Sequence, residues 1–454
     1  MTGSGLYDVW RALGGDPSRL DLLTTQGPER PLPGPLPSGE LAVASVGAML
    51  LAAGELLEAR GGGRVPVAVD AAHVAWAVRS ERLLRVDGAS PGDPFDPLSA
   101  FLETADGWVR THANYPHHRE ALLGVLGGGG GAEQVRARAR SWSAEELEAA
   151  VVAAGGVAAA MRSPEQWQAH PQGRALGELP LLDLDPGPGH APAALPPLER
   201  GGPPAAGLRV LDLTRVIAGP VGTRMLAALG ADVLRVDSPA MPEIPLQALE
   251  AGPGKRSTLL DLRDRRDRAT FDGLLAGADV LVQGYRPGAL AGLGLDPAEA
   301  AARHPGLVTV TLSAWGHVGP WAGRRGFDSI VQAATGIAAL TGEGGRPGVL
   351  PAQALDHATG YLVAAAALRG LAGRHTEGRA LHGRLALART ARWLLDRPRA
   401  AGPVEEADPA GWLTELPSPA GRVTLVTPPG VLAGRPLGWP HGPTGWGADA
   451  PEWR

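Results

Sequence analysis

The chain has 454 residues, 42 basic against 47 acidic, and a formal net charge of −5; that balance excludes the basic stripe of a nucleic-acid binder. Hydrophobic residues make up 44% and charged residues 20%, which suits a folded chain of two or three domains and not a disordered one. Cysteine is absent, so disulfides, thiolate catalysis and cysteine metal ligation are excluded.

The opening stretch, MTGSGLYDVWRALGGD, has no charged start followed by an apolar run, and no apolar run later in the chain is long enough to cross a membrane. The expectation is a cytoplasmic enzyme with no membrane or nucleic-acid partner. Glycines and prolines sit in bursts between periodic segments and mark loops. Basic residues are almost all arginine, Lys255 being the single lysine.

A Pro-rich lead at 28–38 runs into an apolar helix predicted over 39–60. A turn at 61–64, a short alternating strand at 65–70 and a helix from Ala71 follow. Residues 104–115, TADGWVRTHANY, read as a turn plus strand, and a helix starts at His117. The glycine run 127–131 reads as a joint. Helical patterns fill 132–169, with Ser143-Ala-Glu-Glu146 as a capping box. Residues 184–207, DLDPGPGHAPAALPPLERGGPPAA, read as a linker between an N-terminal unit (1–183) and an α/β unit (208–400). Residues 401–454 form an extension returning to the α/β unit.

Beyond the linker, strands and helices alternate. RVLDLT (209–214) is a buried strand, AGPVG (218–222) a tight turn and TRMLAALG a helix. Further strands are expected at 231–237, 279–285 and 307–316, with a helix around 296–303. This is the rhythm of a parallel, Rossmann-like α/β sheet preceded by a smaller α+β or helical domain. A long helix begins near Asp356 and is followed by a turn, an alternating segment and a further helix. The segments 56–78 and 367–395 share the order helix, turn, strand, Trp-bearing helix, which reads as an internal duplication.

The first α/β unit ends its second strand on Asp237, as a dinucleotide site would. Its turn, Gly219-Pro220-Val221-Gly222, lacks three spaced glycines, and Pro220 removes a backbone donor, so nicotinamide binding is not expected. The histidines His112, His117 and His118 have no acidic partner at ligand spacing; a surface turn is expected there and no metal.

Eight blocks in order carry a more specific signal. They are Gly207-Leu-Arg-Val-Leu-Asp-Leu-Thr with Ala218-Gly-Pro, Leu229-Gly-Ala-Asp-Val with Val236-Asp, Gly254-Lys-Arg-Ser with Leu260-Asp-Leu, and Ala278-Asp-Val-Leu with Tyr285-Arg-Pro-Gly. Ser313-Ala-Trp-Gly, Gly326-Phe-Asp, Gln332-Ala-Ala-Thr-Gly and Leu355-Asp-His-Ala-Thr-Gly360 complete the series. Together they resemble the class III coenzyme A transferases, the formyl-CoA and carnitine CoA-transferase family. Asp106-Gly-Trp-Val and Trp142-Ser-Ala-Glu-Glu-Leu resemble that family's smaller domain, which normally comes second. The order here is therefore permuted or duplicated.

The resemblance implies an acyl-CoA:carboxylate CoA-transferase and a homodimer, with coenzyme A as substrate and no tightly bound cofactor. It aligns Asp356 with the catalytic aspartate. A position at a helix start agrees, because backbone N–H groups there favour an ionised carboxylate. The resemblance places Val216, Ile217 and Ala218 along the adenine and pantetheine path, and Gly284 and Tyr285 at the phosphoadenosine end. Lys255 and Arg256 are implied phosphate contacts. Ser238 stands where family members often carry a basic residue. A racemising branch of the family carries a histidine where this chain has Phe327, so racemisation is not expected. Two alternatives stay open: intramolecular CoA transfer on a diacid, and a non-catalytic CoA-binding member.

Overall fold

The computed structural model describes residues 3–93, 95–128, 131–189 and 194–454; part of the predicted glycine joint and of the linker lies outside them. Near the N-terminus, β1 (Leu23–Gln26), α1 (Ser38–Ala59) and β2 (Val67–Asp70) form a strand–helix–strand unit. The two strands pair in parallel, from Leu23 opposite Val67 to Gln26 opposite Asp70, so α1 is the crossover. α1 is apolar on all sides, the signature of a helix enclosed by its neighbours. By length and composition it could cross a bilayer, yet 89% of its apolar window is buried inside the protein. At the end of β2 the Asp70 carboxylate accepts from Ala72 N and His73 N and so opens α2 (Ala71–Ala77).

Next, β3 (Phe101–Glu103), β4 (Trp108–Thr111), α3 (Pro116–Val125), α4 (Ala144–Ala153) and β5 (Ala158–Ala160) make an antiparallel sheet with helices. This piece has its own core of Leu102, Val109, Leu122, Leu147 and Val151. The predicted capping box on Ser143 and Glu146 is present at the start of α4.

The expected linker begins differently. Asp183–Gly189 is a strand, β6, paired antiparallel with a later strand. Its prolines misled the sequence reading; they are tolerated because β6 is the outermost strand, where missing N–H groups break no ladder.

The remaining elements are β7 (Arg209–Leu213), α5 (Ala218–Ala228), β8 (Asp232–Asp237), β9 (Lys255–Leu259), α6 (Arg265–Ala276), β10 (Val280–Gln283) and β11 (Val308–Ser313). Then come α7 (Asp328–Thr335), α8 (Ala354–Thr376), β12 (Arg379–Ala386) and α9 (Leu387–Leu395). The sheet order is β9-β8-β7-β10-β11-β12-β6, the first six strands parallel and β6 antiparallel. The direction of winding reverses between β7 and β10, where doubly wound sheets open a crevice at the carboxyl ends of their strands. Residues 218–222, expected as a turn, form the first turn of α5. Pro220 fits there because an N–H in the first turn has no partner within the helix.

α8 lies on the sheet and packs along α1, and both belong to one core with Leu6, Trp10 and Val74. The N-terminal unit, 1–183, thus feeds two cores: its first part completes the α/β body, and residues 98–160 stand on the other. At the far end, the hairpin Leu413–Ser418 with Gly421–Val426 pairs with Arg85 and Val86. Trp453 Nε1 donates to Leu274 O on α6 over 3.0 Å.

Candidate active site

Asp356 is the third residue of α8 and is 6% exposed. The sequence places its carboxylate on its own helix N-terminus, but another residue takes that place. Asp328, the first residue of α7, accepts from Leu355 N (2.9 Å) and Asp356 N (3.0 Å) through Oδ2. Its other oxygen accepts from the Gln332 amide, and Gln332 Oε1 accepts from Leu350 N over 2.9 Å. Asp328 and Gln332 therefore pin the approach to α8 from outside. Among the described residues no donor reaches the Asp356 carboxylate. Asp356 is thus neither a cap nor a member of an ion pair.

This corrects the electrostatic expectation. Burial pushes the Asp356 carboxyl well above the ordinary aspartate range, and the nearby Asp328 and Glu81 carboxylates push it further. Burial likewise raises Asp328 to about 6, although the Gln332 amide and the two backbone N–H groups pull it down. The two carboxyls form a coupled pair that resists holding two negative charges at once.

Two glycines set what faces Asp356. A Cβ on Gly222 of α5 would come within 2.7 Å of Gly360 O, and one on Gly360 would collide with Ala218 O. α5 and α8 can cross this closely only because both positions lack side chains. Gly360 lies one turn beyond Asp356 on the same face, so the start of α5 crosses α8 one turn from the carboxylate. Just ahead of α5, Val216 has φ of +69°, a left-handed conformation that is a genuine outlier for a β-branched residue. Glu243 holds it: Oε2 accepts from Val216 N (3.2 Å), and Oε1 accepts from Tyr115 Oη (2.8 Å) on the smaller piece. Burial alone would raise the Glu243 carboxyl, but Arg235 and Arg215 hold it below its ordinary value.

Val216, Ile217 and Ala218 follow β7, and Gly284 and Tyr285 follow β10; Gly284 N donates to Leu213 O across the switch point over 3.3 Å. Ile217 lines a small crevice with Gln353, just ahead of α8, and His357 of α8, together with Glu81, Leu246 and Gln247. Tyr285 lines a larger, open cavity at the ends of β10 to β12, with Arg286, Ser313, His317, Arg384 and Arg389.

Lys255 and Arg256 are not placed for phosphate contact. Lys255 Nζ is buried and donates to Asp212 Oδ2 (3.0 Å) and Thr223 Oγ1 (3.1 Å). Burial lowers its pKa, and Asp212 partly restores it. Arg256 makes a two-pronged contact with Asp232 (2.8 Å to each oxygen) and donates to Glu452 O over 2.7 Å. Both begin β9, at the amino end of the sheet, away from the crevice. Asp237 is occupied too, its Oδ2 lying 2.7 Å from Arg235 Nε.

Of the three histidines expected on a surface turn, His112 and His118 are buried and His117 is exposed. His112 stacks on Phe327 at 3.6 Å between centroids, and His118 lies edge-on to His112. Burial lowers the pKa of both, His118 to about 3. His117 and His118 lie on α3 and not on a strand, so strand alternation does not apply. Sequence reasoning gave no role to Asp328, Gln247, Glu243 or Glu81. Asp328 alone left a signal, an acid opening an apolar helix in the Gly326-Phe-Asp block.

Residues 205–411 match the family model described as CoA-transferase family III. An acyl-CoA transferase of Gibberella moniliformis is 35% identical over 316 residues, covering 64% of this chain and 55% of the relative. A probable fatty acyl-CoA transferase of Mycobacterium tuberculosis is 32% identical over 196 residues, 40% of this chain and 50% of its own. A succinyl-CoA:glutarate CoA-transferase of Mus musculus is 34% identical over 192 residues, 39% and 44% respectively. Among solved structures, a CAIB/BAIF family protein from Brucella suis is 28% identical, with 49% of this chain and 65% of that one covered and a TM-score of 0.40. The chain spans about half the length of the curated relatives it matches.

Proposed function

We propose that this chain is an acyl-CoA:carboxylate CoA-transferase in which Asp356 is the nucleophile. The observation that carries the reading is a buried carboxylate that no donor reaches among the described residues, at the start of the helix that α5 crosses closely just after the strained Val216. Asp356 Oδ attacks the thioester carbonyl, the C–S bond breaks, and an acyl-aspartyl anhydride and CoA thiolate result. The thiolate attacks the aspartyl carbonyl, releasing the donor acid and leaving an aspartyl-CoA thioester. The acceptor carboxylate attacks that carbonyl and expels the thiolate, which then takes the new acyl group and frees Asp356. Thioester and acid are exchanged for thioester and acid, so no energy source is consumed.

The reactive form of Asp356 is the anion, which its surroundings disfavour. A carboxylate that is poorly stabilised is a stronger nucleophile than a solvated one, and a dry site protects the anhydride from hydrolysis. The start of α5 supplies N–H groups for an oxyanion or for CoA's pyrophosphate. Val216, Ile217 and Ala218 line the pantetheine path in this reading. Gly284 and Tyr285 flank the phosphate end, where Arg286, Arg384 and Arg389 supply the positive charge that Lys255 and Arg256 do not.

The proposal extends to a cytoplasmic homodimer using coenzyme A as substrate without a tightly bound cofactor, and to a family order that is permuted or duplicated in this chain. Incubation with acyl-CoA and hydroxylamine is expected to leave a hydroxamate on Asp356, detected by peptide mass spectrometry. Asp356→Ala transferring CoA at the wild-type rate would overturn the reading. Turnover without an added acceptor would favour the intramolecular alternative, and CoA binding without exchange would favour the non-catalytic one.

A further inference from the structure

A single carboxylate grips the loop that leads into α5. Residues 214–217 join β7 to α5, and within them Val216 has the φ of +69° that a β-branched residue resists. Val216 N donates to Glu243 Oε2 over 3.2 Å, and the same oxygen accepts from Arg235 Nη2 over 2.8 Å. The other oxygen, Oε1, accepts from Tyr115 Oη (2.8 Å), Ile244 N (3.0 Å) and Arg215 Nη2 (3.4 Å). Five donors thus converge on one carboxylate that is 7% exposed. Burial works against its charge, but Arg235 and Arg215 keep it ionised.

Those contacts exclude Glu243 as a proton carrier for the reaction, because its oxygen lone pairs are already taken. The donors other than Ile244 come from three parts of the chain. Arg215 and Val216 belong to the loop itself, Arg235 to β8, and Tyr115 to the smaller antiparallel piece. Arg235 does not need Glu243 for charge balance alone, since Asp237 Oδ2 lies 2.7 Å from its Nε. Tyr115 is buried, and burial together with the Glu243 charge raises its pKa, so the hydroxyl keeps the proton it donates. The Arg215 guanidinium lies 5.4 Å from the centre of the Tyr115 ring, and its Nη2 also donates to Pro242 O over 2.7 Å.

We propose that Glu243 is a positioning residue for coenzyme A, holding the Val216 peptide left-handed so that the start of α5 meets the substrate, and that Tyr115 ties this grip to the smaller piece. The inference rests on the CoA-transferase reading, in which Val216, Ile217 and Ala218 line the pantetheine path. Without the carboxylate, Val216 relaxes to a negative φ and carries Ile217 with it. Substrate and transition state lose the same contact, so the loss falls on KM more than on kcat. Glycine takes a positive φ at no steric cost, so a glycine at 216 removes the need for the grip.

The test measures the Kd for coenzyme A by titration calorimetry in Glu243→Gln and Tyr115→Phe, each made in the wild-type chain and in a Val216→Gly chain. The amide of Glu243→Gln replaces one accepting oxygen by a donor and so breaks one side of the cluster. Kd is expected to rise about tenfold in Glu243→Gln and about threefold in Tyr115→Phe. In turnover the same rises appear in the KM for acyl-CoA, with kcat changing less. In the Val216→Gly chain each rise is expected to shrink to less than about twofold. A Glu243 that only balances the charge of Arg235 gives equal rises in both chains; that result, or an unchanged Kd, overturns the proposal. Tyr115→Phe leaves every charge in place and decides the matter if Glu243→Gln does not fold. A wild type that binds coenzyme A without transferring it overturns the transferase reading and leaves the grip standing, whereas no binding at all overturns both.

Discussion

Two long apolar helices run side by side through the centre of this protein, and the proposed chemistry falls on only one of them. α1 and α8 are both crossovers between parallel strands, both follow a proline (Pro37 and Pro351), and both are enclosed in one core. Three residues after Ser38, α1 has Leu41 and then Ala42; α8 has Leu355 and then Asp356. At α1 no side chain caps the first turn and Ala42 is fully buried. At α8 a second carboxylate, Asp328, arrives from α7 and takes the first-turn N–H groups, leaving Asp356 unpaired. In the proposed mechanism this helix start is reactive because a different residue satisfies it. The freed carboxyl then sits buried without a hydrogen bond from its own helix.

The strongest way to break this contrast is Asp356→Asn. The amide fills the same space, and no hydrogen bond among the described residues depends on the carboxylate, so folding should be retained or slightly improved. Transfer should fall by about a thousandfold or more, because no other group supplies the nucleophile. Steady-state assays with a melting curve alongside check both halves. A variant that transfers normally would make α8 as inert as α1.

Gly360→Ala comes next. Its methyl would collide with Ala218 O, and overpacking against backbone costs about 1–3 kcal/mol or more. The crossing of α5 on α8 should open, so the KM for acyl-CoA should rise along with the loss of stability. A variant that loses stability but keeps its KM would detach the α5 loop from the site.

Asp328→Asn tests the capping carboxylate. Its amide oxygen can still accept from Leu355 N and Asp356 N, so the cap survives, while the charge and the hydrogen bond from the Gln332 amide are lost. Without that charge the Asp356 pKa should fall, and the acid limb of the rate profile should move to lower pH by about one unit. Stability follows the same sign. The Asp328 pKa is raised, to about 6 in the folded protein against about 3.9 unfolded. Its contribution is therefore present below about pH 4 and lost as pH rises towards 6. The stability difference between variant and wild type should thus move in the variant's favour from pH 4 to pH 7, by up to about 3 kcal/mol, on top of a pH-independent cost for the lost Gln332 hydrogen bond. Chemical denaturation at the two pH values reads the difference.

How far the sequence foretold this contrast depends on the residue. Strand and helix periods made the parallel sheet legible, and the block series brought Asp356 to its helix. The partner of Asp356 was not legible: Asp328 is 28 residues earlier in the chain, and only the folded path from α7 to α8 joins them. Burial was the other hidden quantity. It turned Lys255 from a phosphate contact into a core ion pair, and moved His112 and His118 from a surface turn into an aromatic stack. β6 and the start of α5 were misread because proline signals a break, whereas an edge strand and a first helical turn both accept it.

The smallest effect belongs to the silent helix. Ala42→Ser puts a hydroxyl where α8 has its carboxylate. α1 already shows how such a group is accommodated, since Ser45 Oγ donates to Leu41 O one turn back over 2.9 Å. A hydroxyl at 42 should likewise donate to the carbonyl of Ser38, for a cost of about 1 kcal/mol. Transfer should be unchanged, because Ala42 faces the shared core and neither cavity. A drop in rate comparable with that of Gly360→Ala would mean that α1 sets the position of α8 and not merely its burial.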